Sequence, residues 1–191
     1  MILIVGLGNP GQKFQETWHN LGWQTLNLLQ KRWKENYNFS EWKEDKKNQT
    51  EISKGKIKNQ EFLLIKPLTF MNNSGKSVKS IIDYYKIRTE NLLVIHDDVD
   101  ILMGEIKISK NRGAAGHKGI QSIISQIKTK GFARIRIGIK PKNKINKTEK
   151  FVLQKFNKKE KEFLKNSLEK TLNATEIIIN EGIEKAMTKF N

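Results

Sequence analysis

The apolar run Ile2-Leu3-Ile4-Val5, followed at once by Gly6-Leu7-Gly8-Asn9-Pro10-Gly11, restricts this chain more than any other stretch. A short unbroken apolar run stopped by glycine reads as a buried strand, the kind found in sheets covered by helices. The glycine spacing is also that of a dinucleotide-binding turn. That turn needs a helix starting inside the motif and, about 20 residues on, a second strand ending in an acid. Here residues 12–20 are polar and residues 21–34 carry an imperfect helical stripe through Leu21, Leu26, Leu28, Leu29 and Trp33, with no second strand before residue 50. A nicotinamide-dependent oxidoreductase therefore lacks its setting. What remains is a tight turn whose glycines let backbone approach a ligand, with Asn9 offering its amide there. A purely structural loop is the alternative.

The rest of the chain continues the pattern. Residues 36–50 are polar and read as a surface excursion; residues 50–56 and 61–66 flank Lys58-Asn59-Gln60 as a hairpin. Val78, Ile81, Ile82 and Tyr85 have helical spacing, residues 92–95 form a second buried strand, and residues 105–109 alternate as a third type of strand. Gly113-Ala114-Ala115-Gly116 leads into a helix marked by Ile120, Ile123, Ile124 and Ile127. Arg134-Ile135-Arg136-Ile137-Gly138-Ile139 alternates strictly, so one face is apolar and the other basic. Residues 141–150 read as a lysine-rich loop and residues 158–187 as one or two helices. Strands interleaved with helices predict an α/β fold: one domain over residues 1–191, a mixed central sheet flanked by helices, ending in basic C-terminal helices.

Charge points to the partner. The net charge is +16, and between Lys107 and Lys165 there are 18 basic side chains against three acids, Glu149, Glu160 and Glu162. Compositional bias alone would spread along the chain, so a polyanion is the expected partner. The absence of cysteine removes disulfides, thiol catalysis and thiolate-bound metal. No apolar run approaches the ~18 residues of a membrane span, and residues 1–6 lack the basic start of a signal peptide. The expected compartment is the cytoplasm.

Three histidines, His19, His96 and His117, each stand beside a turn or loop. His96-Asp97-Asp98 closes the strand of residues 92–95, where α/β proteins place their sites, and a carboxylate there can orient an imidazole as a base. The competitor is a metal site, but no His-x-x-x-His pair exists. In Phe70-Met71-Asn72-Asn73-Ser74-Gly75, Asn73 or Ser74 is expected to cap the next helix, leaving Asn72 free to hold a water or a carbonyl. Without cysteine or a Gly-x-Ser-x-Gly turn, water activated by histidine is the expected nucleophile of a hydrolase.

Taken together these residues resemble a family. Residues 6–11 with Thr17, His19, Asn20 and Gly22, then Thr69-Phe70-Met71-Asn72-Asn73-Ser74-Gly75, then His96-Asp97-Asp98-Val99-Asp100, then Gly116-His117-Lys118-Gly119 with residues 132–139 and 151–153, are similar in kind and order to the motifs of bacterial-type peptidyl-tRNA hydrolase. The resemblance runs from residue 2 to about residue 156. It implies cleavage of the ester joining a peptide to the 3′ ribose of tRNA, with no cofactor, no metal, no membrane, no obligate protein partner and a monomeric chain. By position it implies His19 as general base, Asp97 as the group holding it, Asn9 as the contact to the peptide's first amide, and Asn72 as a guide for water and substrate. It implies Phe14 and Phe70 against the 3′ end and peptide, His117 and Lys118 at the substrate, and Lys107, Lys110 and Arg136 toward phosphates of the acceptor arm. Trp18 stands where the family usually has Arg, Phe14 where it has Tyr, and Lys118 where Asn is frequent. A non-hydrolytic RNA-binding relative of the same fold is the alternative.

Overall fold

The computed structural model describes residues 1–141 and 147–191. Its centre is β1 (Ile2–Gly6), the strand expected from the apolar run. A loop and two 3₁₀ turns lead into α1 (Leu21–Tyr37). Then follow β2 (Lys43–Asp45), β3 (Thr50–Ile57), β4 (Gln60–Pro67), α2 (Ser74–Tyr85), β5 (Leu92–Leu102), β6 (Ile106–Lys110), α3 (Lys118–Ile127), β7 (Ala133–Lys140), α4 (Thr148–Phe151), α5 (Lys158–Glu181) and α6 (Ile183–Phe190). All seven strands join one sheet in the order β2-β3-β4-β1-β5-β7-β6. β1 pairs parallel with β4 and β5, and β5 parallel with β7; the edges β2-β3-β4 and β7-β6 are antiparallel. The molecule is a single α/β domain with a mixed sheet.

Each face of that sheet buries its own apolar layer. Ile4, Leu93, Ile95, Ile135 and Ile137 meet Leu26, Leu29 and Trp33 of α1 and Leu164, Leu168 and Leu172 of α5. Leu3, Val5, Leu92 and Val94 meet Val78 and Ile81 of α2 and Ile120 and Ile123 of α3. Covering both faces is why residues 2–5 and 92–95 are unbroken apolar runs. The last residue closes the β6 edge: the Asn191 side chain accepts from Ile108 N–H (2.7 Å) and donates to the Ile108 carbonyl (3.0 Å).

Several expectations need correction. The strand begun by residues 92–95 does not close at His96-Asp97-Asp98. β5 runs on to Leu102 because β7 stays paired with it through Asp98, whereas β1 leaves it at Ile95. Residues 36–50 are not wholly a surface excursion: Phe39 is buried with its ring 5.0 Å from that of Trp33, and β2 pairs with β3. One buried aromatic in a polar stretch is too little periodicity to read. Of the expected loop 141–150, residues 142–146 lie outside the described residues, and residues 148–151 are helical.

Two glycines of the first loop, Gly6 and Gly8, serve otherwise than expected. A Cβ on Gly6 would lie 2.3 Å from the Gly22 carbonyl oxygen, and one on Gly8 would lie 2.6 Å from the Trp23 ring. They make room for α1 rather than for a ligand. Gly22 reciprocates, since its Cβ would meet Leu7 N at 2.3 Å and Ile95 O at 2.4 Å. Both obstacles are backbone and cannot turn aside. Gly22→Ala should therefore cost at least the ~1–3 kcal/mol of overpacking, lowering Tm by several degrees in a scanning calorimeter. An unchanged Tm would mean that α1 can shift without loss.

Candidate active site

Because β1 stops at Gly6, the end of β5 is open to groups from both sides of the sheet. Strand alternation sends Leu93, Ile95 and Asp97 toward the α1 face. His19 arrives there on the 3₁₀ turn Trp18–Asn20, whose position is fixed by the His19 N–H bond to the Val152 carbonyl (2.9 Å). His117 arrives from the other face as the N-cap of α3. The imidazoles meet at Asp97: His19 Nδ1 lies 2.8 and 2.9 Å from its two carboxylate oxygens, and His117 Nε2 lies 3.0 Å from one of them.

The network assigns the protons. His117 Nδ1 accepts from the backbone N–H groups of Gly119 (3.2 Å) and Ile120 (3.3 Å), so its proton is on Nε2 and donates to Asp97. The carboxylate accepts from His19 Nδ1–H as well, which leaves the lone pair of His19 on Nε2. Burial would raise the Asp97 carboxyl, but the electrostatic attraction and hydrogen bonds of His19 and His117 outweigh it and hold it well below the usual carboxylate range. Asp97 thus stays an anion although it is buried. His96 is different: burial pushes it well below its ordinary value, and it donates through Nδ1 to the Asp97 carbonyl (2.7 Å). It is a neutral core histidine.

A cleft of about 690 Å³ opens over this cluster, and Asn9, Phe14, Phe70, Asn72, His117 and Lys118 all line it with His19 and Asp97. Asn9 is nearly buried and rigidly held. Asn20 clamps its backbone, accepting from Asn9 N–H (2.9 Å) and donating to the Asn9 carbonyl (3.0 Å), and Asn9 Oδ1 accepts from Met71 N–H (2.8 Å). Only the Nδ2 donor remains for a ligand. Phe70 is 58% exposed and forms an apolar rim. Lys118 is paired with Glu149 of α4 at 2.7 Å. Lys107, Lys110 and Arg136 lie apart from the cleft, on β6 and β7. Lys107 and Arg136 are cross-strand partners on one face, and Arg136 Nε donates to Asp98 Oδ2 (2.8 Å).

The expected basic face of β7 is only half there. Arg134 is 2% exposed and donates to the Gly113 carbonyl (2.9 Å), so it anchors the loop before α3. Burial lowers its pKa to about 10, which still leaves it charged. The capping expectation at α2 also fails. Asn73 occupies the N-cap position without a side-chain bond, Ser74 Oγ turns back to the Met71 carbonyl, and Ser122 of α3 takes the Gly75 N–H. Trp18, the departure beside His19, is buried with its ring 5.9 Å from Phe151 and 5.1 Å from Phe156. It ties residues 151–156, including the carbonyl that holds His19, onto the start of α1. Asn20 counts in the first motif of the sequence but is assigned no role there; that motif is the signal for it.

His19, Asp97 and His117 are also the one group of metal-type donors found together among the described residues, their atoms within 4.8 Å of one another. Both imidazole N–H groups donate to the carboxylate, so an ion there would have to displace two protons that already satisfy the cluster. The protonated network fits water activation better.

The comparisons agree with the motif order. The family model described as peptidyl-tRNA hydrolase matches residues 3–191. The chain belongs to the peptidyl-tRNA hydrolase family. A relative from Clostridium botulinum (strain Alaska E43 / Type E3) is 40% identical over 191 residues, covering 100% of this chain and 96% of its own length. One from Thermodesulfovibrio yellowstonii is 40% identical over 193 residues, covering 100% and 99%. Both are named peptidyl-tRNA hydrolase. The crystal structure of peptidyl-tRNA hydrolase from Acinetobacter baumannii superposes with a TM-score of 0.88 at 30% identity, covering 98% of this chain and 93% of that one. Membership makes the chain an ester hydrolase of this family. No helix among the described residues is long and apolar enough to cross a membrane.

Proposed function

We propose that the chain hydrolyses the ester between a peptide and the 3′ ribose of tRNA with His19 as the base. The observation that carries this is the 2.8 Å contact of His19 Nδ1 with the buried Asp97 carboxylate, which leaves Nε2 unprotonated beside the cleft. Nε2 takes a proton from water as the oxygen attacks the ester carbonyl. The tetrahedral intermediate expels the ribose oxygen, His19 returns the proton to it, and peptide carboxylate and tRNA 3′-hydroxyl leave. Asp97 stabilises the imidazolium formed midway, and His117 stops Asp97 from turning away. The Asn72 amide, which lines the cleft, guides the water or the carbonyl oxygen.

Specificity for a blocked amino group follows from Asn9. Since Met71 N–H occupies its oxygen, Asn9 meets substrate as a donor, and the matching group is the acyl carbonyl on the aminoacyl nitrogen. Free aminoacyl-tRNA has an ammonium there and no carbonyl. Phe14 and Phe70 supply apolar walls for the 3′-terminal nucleoside and the peptide, and Lys118 supplies charge at the mouth. Every group in this scheme comes from one chain, so a monomer suffices, and the substrate places the work in the cytoplasm. Release of a labelled N-acetylaminoacyl group from tRNA, with the unblocked aminoacyl-tRNA left intact, tests the reading. Binding of tRNA without release would favour the non-hydrolytic alternative.

The tRNA body is held by charge, through Lys107, Lys110 and Arg136. Arg136 is oriented by Asp98 through Nε, which leaves the terminal nitrogens of its fork for phosphate oxygens. Arg136→Ala should raise KM for peptidyl-tRNA, flatten the dependence of log KM on log salt by about 0.9, and spare a short model ester. A KM that ignores ionic strength in the parent protein would overturn the electrostatic reading.

A further inference from the structure

Away from the cleft, α2 ends in two tyrosines. Val78, Ile81 and Ile82 of this helix are buried, but Tyr84 is 60% exposed. Tyr85 is half-buried, its ring edge-on to that of Tyr84 with the centres 4.8 Å apart. Exposed lysines border both rings. Ser80 Oγ bonds Asn48 Oδ1 and Ser77 Oγ donates to the Gln49 carbonyl (3.1 Å), which pins the β2–β3 turn against α2. Lys47 of that turn thereby reaches over Tyr84, its Nζ 5.6 Å from the ring centre. Lys54 of β3 stands over Tyr85 at 4.8 Å, and Lys86 follows as the C-cap of α2.

The three charges are not taken up inside the protein. Lys79 is paired with Asp83 and Lys66 with Glu51, but among the described residues Lys47, Lys54 and Lys86 are in no ion pair. Asp45, whose charge Lys47 also feels, is occupied by the Asn48 N–H (3.1 Å) and side-chain amide (2.7 Å). A ring holds an exposed ammonium only weakly, so a phosphate can draw the lysine off and leave the ring to stack. A duplex offers phosphates but hides its base faces. Rings interleaved with ammonium groups match a single strand, which presents an open base face and a phosphate at each step.

The surface is also misplaced for the acceptor arm. α2 leaves the cleft at Ser74, next to Asn72, and its 12 residues carry Tyr85 about 18 Å further on. Lys54 on β3 is four strand spacings from Arg136 on β7 and five from Lys107 on β6, about 19–24 Å, with Asp97 on β5 between them. An arm with its 3′ end in the cleft and its phosphates on β6 and β7 extends away from α2. We infer that Tyr84, Tyr85, Lys47, Lys54 and Lys86 form a second nucleic-acid surface, which takes a single-stranded RNA segment separate from the tRNA whose ester is cleaved. This surface does not depend on the His19 mechanism, and it lets the protein stay on one RNA while the cleft turns over another.

The test is fluorescence anisotropy with a labelled oligouridylate about 12 nucleotides long, within the span of single-strand sites, in the presence of saturating acceptor-stem duplex ending in 3′-CCA. The oligonucleotide should still bind. Tyr84→Ala should weaken it at least about fivefold, the lower end of what one stacked base supplies, and Tyr84→Phe should restore it. The double variant Lys47→Ala with Lys54→Ala should lower the slope of log Kd against log salt by about 1.4, two phosphates of a single strand. All three variants should cleave N-acetylaminoacyl-tRNA with the parent kcat and KM, which also shows that they fold. Full displacement of the oligonucleotide by the duplex, or parental affinity in both Tyr84→Ala and the lysine double variant, would overturn the inference. A raised KM in Tyr84→Ala would give the surface to the substrate tRNA instead. Capture by phosphatidylglycerol vesicles that Tyr84→Ala abolishes, with oligonucleotide binding unchanged, would make it a membrane contact and likewise overturn the inference.

Discussion

Replacing His19 by alanine should lower turnover of N-acetylaminoacyl-tRNA by at least about 100-fold, within the ~10²–10⁴ range of general-base loss, while tRNA affinity changes little. The side chain is 11% exposed and, among the described residues, bonded to Asp97 alone, so its removal deletes the base without opening the core. Single-turnover hydrolysis separates the chemical step from binding, and filter binding of deacylated tRNA gives the affinity. More than roughly a tenth of the activity surviving, far above the general-base range, would sink the mechanism. Asp97→Asn is the informative companion. Two imidazole N–H groups converge on this carboxylate, from His19 Nδ1 and His117 Nε2. An amide has one accepting oxygen and one donating NH₂, so one of the two histidines must meet a donor or change tautomer. His117 cannot change freely, because its Nδ1 accepts from two backbone N–H groups of α3. The misfit falls on His19, whose Nε2 would then carry the proton it is meant to accept. Asp97→Asn should therefore approach the loss seen for His19→Ala, with Tm little changed. Near-parental turnover would show that Asp97 does not set the His19 tautomer.

The second large effect is on discrimination. In the parent protein a blocked substrate gains the Asn9 Nδ2 bond, and an unblocked one leaves that donor facing an ammonium. Asn9→Asp keeps the oxygen that accepts from Met71 N–H, and so the local fold, but replaces the donor by an acceptor. The ratio of kcat/KM for N-acetylated over free aminoacyl-tRNA should fall at least about tenfold, the worth of one well-placed hydrogen bond with its unpaired alternative counted. Asn9→Ala should move the ratio the same way, and additionally lower Tm because Met71 N–H loses its partner. A ratio unchanged in Asn9→Asp would remove Asn9 from substrate recognition, whatever its part in holding the loop.

Much of the fold was legible in the residues, for reasons of period and burial. Residues 2–5 and 92–95 are unbroken apolar runs because helices cover both sides of the sheet there. The 3.6-residue spacing of α2 and α3 records single buried faces in the same way, whereas the alternation in residues 133–139 marks one apolar face of a strand buried on nearly both. The candidate site residues were legible only as motifs in order. Nothing in His19, Asp97 and His117, separated by 78 and 20 positions, states that they touch.

That contact depends on where strands end relative to one another. β1 breaks off at Gly6 while β5 is carried on by β7, and the gap admits an imidazole from each face of the sheet. Local period is blind to such an offset, because each strand would look the same in any register with its neighbours. It is equally blind to side chains whose partners lie elsewhere in the fold. Arg134 and Arg136 share a strand, a charge and a face, yet packing under the loop before α3 buries one and leaves the other to Asp98. Periodicity is a property of a residue and its near neighbours, so the chain's own order yields strands, helices and buried faces. Proton positions, free donors and spare charges are set by pairs distant in sequence, and only their assembly in space settles which of them remain for a substrate.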